Sequence, residues 1–184
     1  MVQKTLSLVD QLYLVDGKAE IIRGEIVRMS PAGVRHGRRA GAIYRSLARH
    51  EDDVGGGYAF PDNVGFIVDL PDRESFSPDA AWVVGELDED DPHFYEGAPT
   101  FAVEVRSPDD YGPAAERAIR DKIAEYFTAG TLVVWDVDLQ SEELIKSYHS
   151  SDTAHPRVFK REDTADAEPA VGGWRFPVKL LKRG

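Results

Sequence analysis

Asp79, Glu104 and Lys122 are the residues whose types and settings point most directly to chemistry. Asp79 stands just before the apolar run that starts at residue 80, and Glu104 lies inside a second apolar run, residues 101–105. A lone carboxylate in a buried strand is costly to desolvate unless a cation or a metal ion lies beside it. Two carboxylates and a lysine are the minimum set for metal-assisted phosphodiester hydrolysis. The acids would hold a hard divalent cation, and the lysine would position water or neutralise charge.

Glu104 must be positioned by the strand that contains it. The period of two places Phe101, Val103 and Val105 on one face of this strand, and Glu104 and Arg106 on the other. Arg106 is therefore a candidate ion-pair partner of Glu104 or a candidate phosphate contact. Asp79 enters its own apolar run at a strand end, so the two carboxylates are expected on adjacent strands.

Lys122 belongs to a predicted helix over residues 113–129, which Gly130 ends. The apolar stripe of this helix consists of Ile119, Ile123, Tyr126 and Phe127. Lys122 borders that stripe, so its ammonium can reach the end of a sheet while its stem stays in apolar surroundings. Asp109 and Asp110 are expected in the first turn, where acidic side chains favour a helix.

A longer helix is predicted over residues 34–50, with Ala40, Ile43 and Leu47 buried. His36 lies on the same stripe one turn earlier. It either faces the catalytic end of the sheet or caps local backbone at the edge of the core, and the sequence leaves both readings open.

The order of these motifs resembles the PD-(D/E)XK nuclease superfamily, and within it the Uma2 family. The motifs are Pro78-Asp79, then Glu-Val-x-Ser-Pro at residues 104–108, then Lys122-x-x-x-Tyr126 on a helix. The resemblance covers residues 16–138 and includes an opening block at residues 24–31 followed by His36. One position departs from the superfamily pattern, because Arg106 stands where lysine is common. In Uma2-like proteins that lysine has moved to the following helix, which here means Lys122.

The resemblance implies a restriction-endonuclease-like fold, in which Asp79, Glu104 and Lys122 meet at one end of a central sheet. It further implies Mg²⁺ or Mn²⁺ held by Asp79 and Glu104, and it offers Glu25 as an additional acidic residue. Without the resemblance, Asp79 reads as a turn aspartate and Glu104 as the partner of a structural arginine. Lys122 then reads as a surface lysine, and Glu25 as an ordinary residue near a turn.

The remaining elements complete a mixed α/β fold with a central sheet and flanking helices. A short helix is predicted over residues 7–14, and two strands over 19–29 join at a tight turn, Arg23-Gly24. Further strands are predicted at residues 58–60, 64–68, 80–84, 101–105, 131–137, 143–149 and 158–160, and a last ordered stretch at 171–181. Residues 70–75 and 164–168 are predicted loops.

Length and composition limit which folds, sites and partners the chain can have. With 184 residues the chain is predicted to be one domain, residues 1–184, and with no cysteine it excludes disulfides and zinc–thiolate sites. No apolar run approaches the length of a membrane span, so we expect no membrane partner and a cytoplasmic location. The net charge of −11 is unusual for a nucleic-acid enzyme. Five arginines nevertheless share the first long helix, namely Arg35, Arg38, Arg39, Arg45 and Arg49.

The sequence therefore predicts a metal-dependent endodeoxyribonuclease that hydrolyses DNA phosphodiester bonds. The alternative is a catalytically inactive nuclease-like scaffold that binds nucleic acid or a protein partner, which the acidic balance and Arg106 favour. A carbohydrate-processing enzyme has only the acidic pairs in its support. The predicted ribbon formed by residues 143–149 and 158–160 is a candidate contact for a homodimer.

Overall fold

A computed structural model describes residues 6–182 of the chain. Its helices are α1 (Leu8–Leu12), α2 (Val34–Val54) and α3 (Pro113–Thr128), with a final 3-10 helix at Val178–Leu181. The strands are β1 (Ala19–Ile22), β2 (Glu25–Arg28), β3 (Tyr58–Pro61), β4 (Phe66–Leu70), β5 (Arg73–Phe76), β6 (Ala80–Val83), β7 (Tyr95–Glu96), β8 (Phe101–Val105), β9 (Val133–Val137), β10 (Ile145–His149), β11 (Asp152–Phe159), β12 (Thr164–Ala167) and β13 (Val171–Pro177).

A six-stranded mixed sheet forms the centre, in the order β11-β10-β9-β8-β6-β3. Strands β8 and β9 pair in parallel and the other neighbours are antiparallel. The parallel pair is connected through α3, as expected for a crossover between parallel strands. The register places Glu104 beside Asp136 of β9 and Val103 beside Ala80 of β6. Glu104 and the start of β6 therefore lie at the same end of the sheet.

One face of this sheet packs against α2 and the β12–β13 hairpin. Helix α2 buries Ala40, Ile43 and Leu47, as the spacing predicts. The hairpin adds Trp174, whose ring stacks on Trp135 of β9 with the ring centroids 5.1 Å apart. Burying these large apolar side chains supplies much of the driving force for folding.

The opposite face of the sheet, which presents Ala102, Glu104 and Val134, packs against α3. A second sheet contributes to the same core, with the order β2-β1-β5-β4-β7. Phe76, at the end of β5, stacks on Tyr126 of α3 at 3.9 Å between ring centroids. The packing of α3 therefore brings β1, β5 and β8 close to one another.

Most predicted elements are confirmed, including the β1–β2 hairpin. Its turn residues Arg23 and Gly24 have φ values of 52° and 72°, which suits a two-residue hairpin turn. Two predicted loops are wrong, because residues 73–76 and 164–167 form strands β5 and β12. Asp109 and Asp110 precede α3 and do not form its first turn, since the helix begins at Pro113.

The helices within residues 6–182 include none with both the length and the apolar character needed to cross a membrane.

Candidate active site

Lys122 stands at the centre of a cluster formed by α3, β1 and β8. Its Nζ lies 2.9 Å from Oε1 of Glu104 and 3.0 Å from Oε1 of Glu20. Tyr126, one turn further along α3, donates its hydroxyl hydrogen bond to the same Glu104 oxygen at 2.6 Å. Two residues of one helix therefore hold the carboxylate that the β8 strand turns toward α3.

Glu20 is the most deeply buried carboxylate of the cluster, with its side chain 1% exposed. Besides Lys122, it accepts hydrogen bonds from Arg73 and from the backbone N–H of Ser77. Burial alone would raise the pKa of Glu20, but the charges of Lys122 and Arg73 outweigh it and hold the pKa below its ordinary value. Glu20 is therefore a buried anion with a full set of partners.

Asp79, the residue just before β6, is held in place by three donors. Lys18 Nζ lies 2.7 Å from Oδ1, while the backbone N–H of Val105 donates to Oδ2 at 2.7 Å and His36 Nε2 lies 3.1 Å from Oδ2. Because Val105 directly follows Glu104, this bond fixes the two carboxylates on adjacent strands, as predicted. Lys18 also pairs with Asp62 at 2.7 Å.

The environments of Asp79 and Glu104 push their pKa values in opposite directions. Burial disfavours the charged form of Asp79, but the hydrogen bond from His36 and the charge of Lys18 lower its pKa to about 2. Burial raises the pKa of Glu104, and the charges of Asp79 and Glu20 add to this effect against the opposing charge of Lys122. Groups whose pKa values are separated in this way are typical of functional sites.

All of these side chains except Tyr126 line a cavity of about 940 Å³. Of the two predicted metal ligands Glu104 is the more accessible, with 24% of its side chain exposed against 5% for Asp79. Since a cation or substrate must reach the reacting groups from solvent, this difference makes Glu104 the group on which a ligand would first act.

The structure brings four of the five predicted site residues together. Asp79, Glu104, Lys122 and His36 all line the cavity, and of the two readings of His36 the structure supports the one that faces the site. Glu25 does not belong to this group, because it is exposed at the start of β2 and does not line the cavity. The acidic residue that the first hairpin contributes is Glu20 of β1.

Arg106 has a structural role that the sequence did not indicate. It does not pair with Glu104 but forms a bidentate contact with Asp136, with Nε and Nη2 each 2.7 Å from a carboxylate oxygen, and it also pairs with Glu116. Its guanidinium is buried, and the Asp136 hydrogen bond opposes the effect of burial and raises its pKa. Arg106 therefore joins β9 to the start of α3.

Lys18, Glu20 and Tyr126 are the site residues that sequence reasoning missed. Glu20 carries the same signal as Glu104, a single carboxylate in a short apolar strand, Ala19–Ile22. Tyr126 was predicted as part of the apolar stripe, which is correct for its ring but overlooks its hydroxyl group. Lys18 gave no signal, because its partners Asp62 and Asp79 are 44 and 61 residues away.

The donor types in this cavity suit a hard divalent cation. Asp79 and Glu104 offer carboxylate oxygens, the ligands that Mg²⁺ and Mn²⁺ prefer, and burial together with the negative charges of Asp79 and Glu20 raises the pKa of Glu104. In the described part of the chain, however, no three His, Cys, Asp or Glu side chains are arranged as a ready-made metal site. Two carboxylates would have to be completed by water or substrate oxygens, as is usual for Mg²⁺.

A family model described as "Uma2: Putative restriction endonuclease" matches residues 9–179. The chain belongs to the Uma2 family. The predicted resemblance is thus confirmed over most of the chain. No curated protein matches this Uma2 chain.

A solved structure supports the fold of this Uma2 protein. It is a "putative nuclease" from Anabaena variabilis, similar to this chain with a TM-score of 0.74 and 16% sequence identity. The match covers 94% of this chain and 96% of the other. At this identity the likeness bears on the fold alone, and it confirms the predicted α/β nuclease-like architecture.

Proposed function

We propose that this Uma2 protein is a metal-dependent endodeoxyribonuclease that hydrolyses DNA phosphodiester bonds. The observation that carries the proposal is the gathering of Asp79, Glu104 and Lys122 in one cavity at the end of the central sheet. Family membership supports the same reaction class.

Asp79 and Glu104 would hold Mg²⁺ or Mn²⁺, which when bound supplies an activated water and stabilises charge on the phosphate oxygens. Lys122 places a second positive charge 2.9 Å from Glu104, where it offsets charge that develops on the substrate. Tyr126 fixes the orientation of Glu104, and His36 fixes that of Asp79. Burial would lower the pKa of Lys122, but Glu104 and Glu20 raise it, so its ammonium stays protonated at neutral pH.

Metal binding and DNA cleavage should be measured on the same preparations. Isothermal titration calorimetry with Mn²⁺ or Mg²⁺ should show binding that Asp79→Asn and Glu104→Gln each weaken at least about tenfold, or 1.4 kcal/mol. Both variants should also fail to nick plasmid DNA. Glu25→Gln is the matched control, because it removes an exposed carboxylate of β2 that lies outside the cavity and should leave binding and nicking unchanged.

A protein that binds neither metal and leaves plasmid, linear duplex and single-stranded DNA intact would refute the proposal. If Glu25→Gln lost as much metal affinity and nicking activity as Glu104→Gln, the assignment of the metal ligands would be refuted, because Glu25 lies outside the cavity.

The alternative is a nuclease-like scaffold that binds nucleic acid or a partner without cleaving it. The contact between Lys18 and Asp79 favours it, because an ammonium already neutralises one of the two proposed ligands. In that case the protein would bind its partner equally well in EDTA and in Mg²⁺, and Asp79→Asn would leave that affinity unchanged.

A further inference from the structure

A second cavity, of about 510 Å³, lies between α2 and the segment formed by β13 and the final 3-10 helix. It shares no lining residue with the active-site cavity. Its basic lining residues, which we call the arginine groove, are Arg38, Arg39, Arg45, Arg49 and Arg175.

Three arginines of this groove have no acidic partner in the described part of the chain. Arg38, Arg45 and Arg49 are exposed, and none of them forms an ion pair with a carboxylate among residues 6–182. Arg175, by contrast, lies 3.3 Å from Glu168. Unpaired arginines are unexpected in a chain with 33 acidic and 22 basic residues, because carboxylates are abundant elsewhere on its surface.

The stability of α2 does not account for this arrangement. Arg45 and Arg49 are one turn apart, and like charges at this spacing destabilise a helix by a few tenths of a kcal/mol. The acidic residues of the helix, Glu51, Asp52 and Asp53, are all in its last turn, where the helix dipole favours cations instead. Asp53, one turn beyond Arg49, also lines the groove but forms no ion pair with Arg38, Arg45 or Arg49 among residues 6–182, so these three arginines are free to contact a bound polyanion.

We infer that the arginine groove binds the phosphodiester backbone of DNA outside the active-site cavity. From Arg38 to Arg49 the helix rises about 16 Å, which spans about five phosphates of one strand at 3.4 Å per nucleotide. The same helix carries His36, which contacts Asp79, so one element joins the groove to the active-site cavity. The inference rests on the proposed nuclease function for the identity of the polyanion.

Binding should be measured by fluorescence anisotropy in EDTA, with labelled duplex and single-stranded DNA, for the full chain and for Arg45→Ala/Arg49→Ala. Alanine is a strong helix former, so the variant should fold, and it should be at least as stable as wild type in urea because a like-charge pair is removed. The control is Lys160→Ala/Arg161→Ala, which removes the same two positive charges from an exposed position outside the groove.

The slope of log K against log salt concentration should be less steep for Arg45→Ala/Arg49→Ala than for wild type. The expected difference in slope is about 1.8 for duplex DNA and about 1.4 for single strands. The ratio of the duplex affinity of wild type to that of Arg45→Ala/Arg49→Ala should consequently fall about tenfold between 50 and 200 mM salt. The control should match wild type in slope.

Equal slopes in the groove variant and the control would overturn the inference, as would wild type that binds no DNA at low salt. Failure of this inference can be distinguished from failure of the proposed function. DNA binding by the groove is measured without metal, and metal binding by Glu104 is measured without DNA.

Discussion

Lys122→Met removes an ammonium that contacts both Glu20 and Glu104. Because Nζ lies 3.0 Å and 2.9 Å from their oxygens, those oxygens are within about 6 Å of each other. Two anions at that distance repel by about 3 kcal/mol at an effective dielectric constant of about 20. Glu20 keeps Arg73 and the N–H of Ser77 as partners, so Glu104 becomes the carboxylate without a neutralising contact.

Protonation of Glu104 limits the cost of the substitution. Its ordinary pKa is 4.5, and each unit of pKa shift is worth 1.36 kcal/mol, so protonating it at pH 7 costs about 3 kcal/mol and at pH 5 less than about 1. The direction of this pH dependence follows from the raised pKa of Glu104. A carboxyl group that resists ionisation in the folded protein lowers the free energy of unfolding increasingly as the pH rises above 4.5. We therefore expect Lys122→Met to lower the free energy of unfolding by about 2–3 kcal/mol at pH 7 and by less than about 1 kcal/mol at pH 5.

Urea unfolding in EDTA at both pH values measures this loss. Lys122→Met/Glu104→Gln should recover most of the stability at pH 7, because glutamine carries no charge and can still accept the Tyr126 hydrogen bond. Lys179→Met, at an exposed lysine, is the control and should change stability by no more than about 0.5 kcal/mol. A loss that is the same at pH 5 and pH 7, or one that Glu104→Gln does not reduce, would refute this account of the cluster.

Asp79 should contribute to the acid sensitivity of the fold. Its pKa is about 2, against an ordinary value of 3.8, and this difference contributes about 2 kcal/mol to the free energy of unfolding above pH 4. The contribution is lost as the pH falls from 3.8 to 2. Urea unfolding at a series of pH values should show that Asp79→Asn lacks this part of the pH dependence. Arg106→Leu should cost about 3–5 kcal/mol in the same unfolding assay, because it leaves the buried Asp136 without its bidentate partner. A loss below 1 kcal/mol would show that the pair contributes little.

The helices and the central strands could be predicted because each follows one period. Helix α2 buries every fourth or third residue, and β8 alternates apolar side chains with Ala102 and Glu104. Strand β5 was missed because its sequence, Arg73–Phe76, looks polar. Arg73 is nonetheless buried, because Glu20 and Glu125 neutralise its charge. Ser75 is buried as well, and its Oγ accepts a hydrogen bond from the backbone N–H of Ile21. Only tertiary partners allow such residues inside a sheet.

Strand β12 was missed for a different reason. Its buried residues, Ala165 and Ala167, alternate with Asp166 as a half-buried strand requires, but alanine is too small and too weakly strand-forming to mark the pattern. The bulk that covers them comes from Trp174 and Phe176 on β13. The sequence signal of this hairpin therefore lies almost wholly in its second strand.

The candidate site also has a part that the sequence predicts and a part that it does not. Asp79 and Glu104 could be predicted from neighbouring strands, but the contact of Lys122 with Glu20 joins residues 102 positions apart in the sequence. That contact exists only when α3 has packed against β1, and the cluster is complete only when β8 adds Glu104. The same dependence separates Glu20 from Glu25, which the resemblance implies as the additional acid. The hairpin buries Glu20 and exposes Glu25, and the docking of β1 against β5 decides which of the two is buried. The charged cluster is thus a property of the assembled core, and substitutions within it should change the stability of the fold.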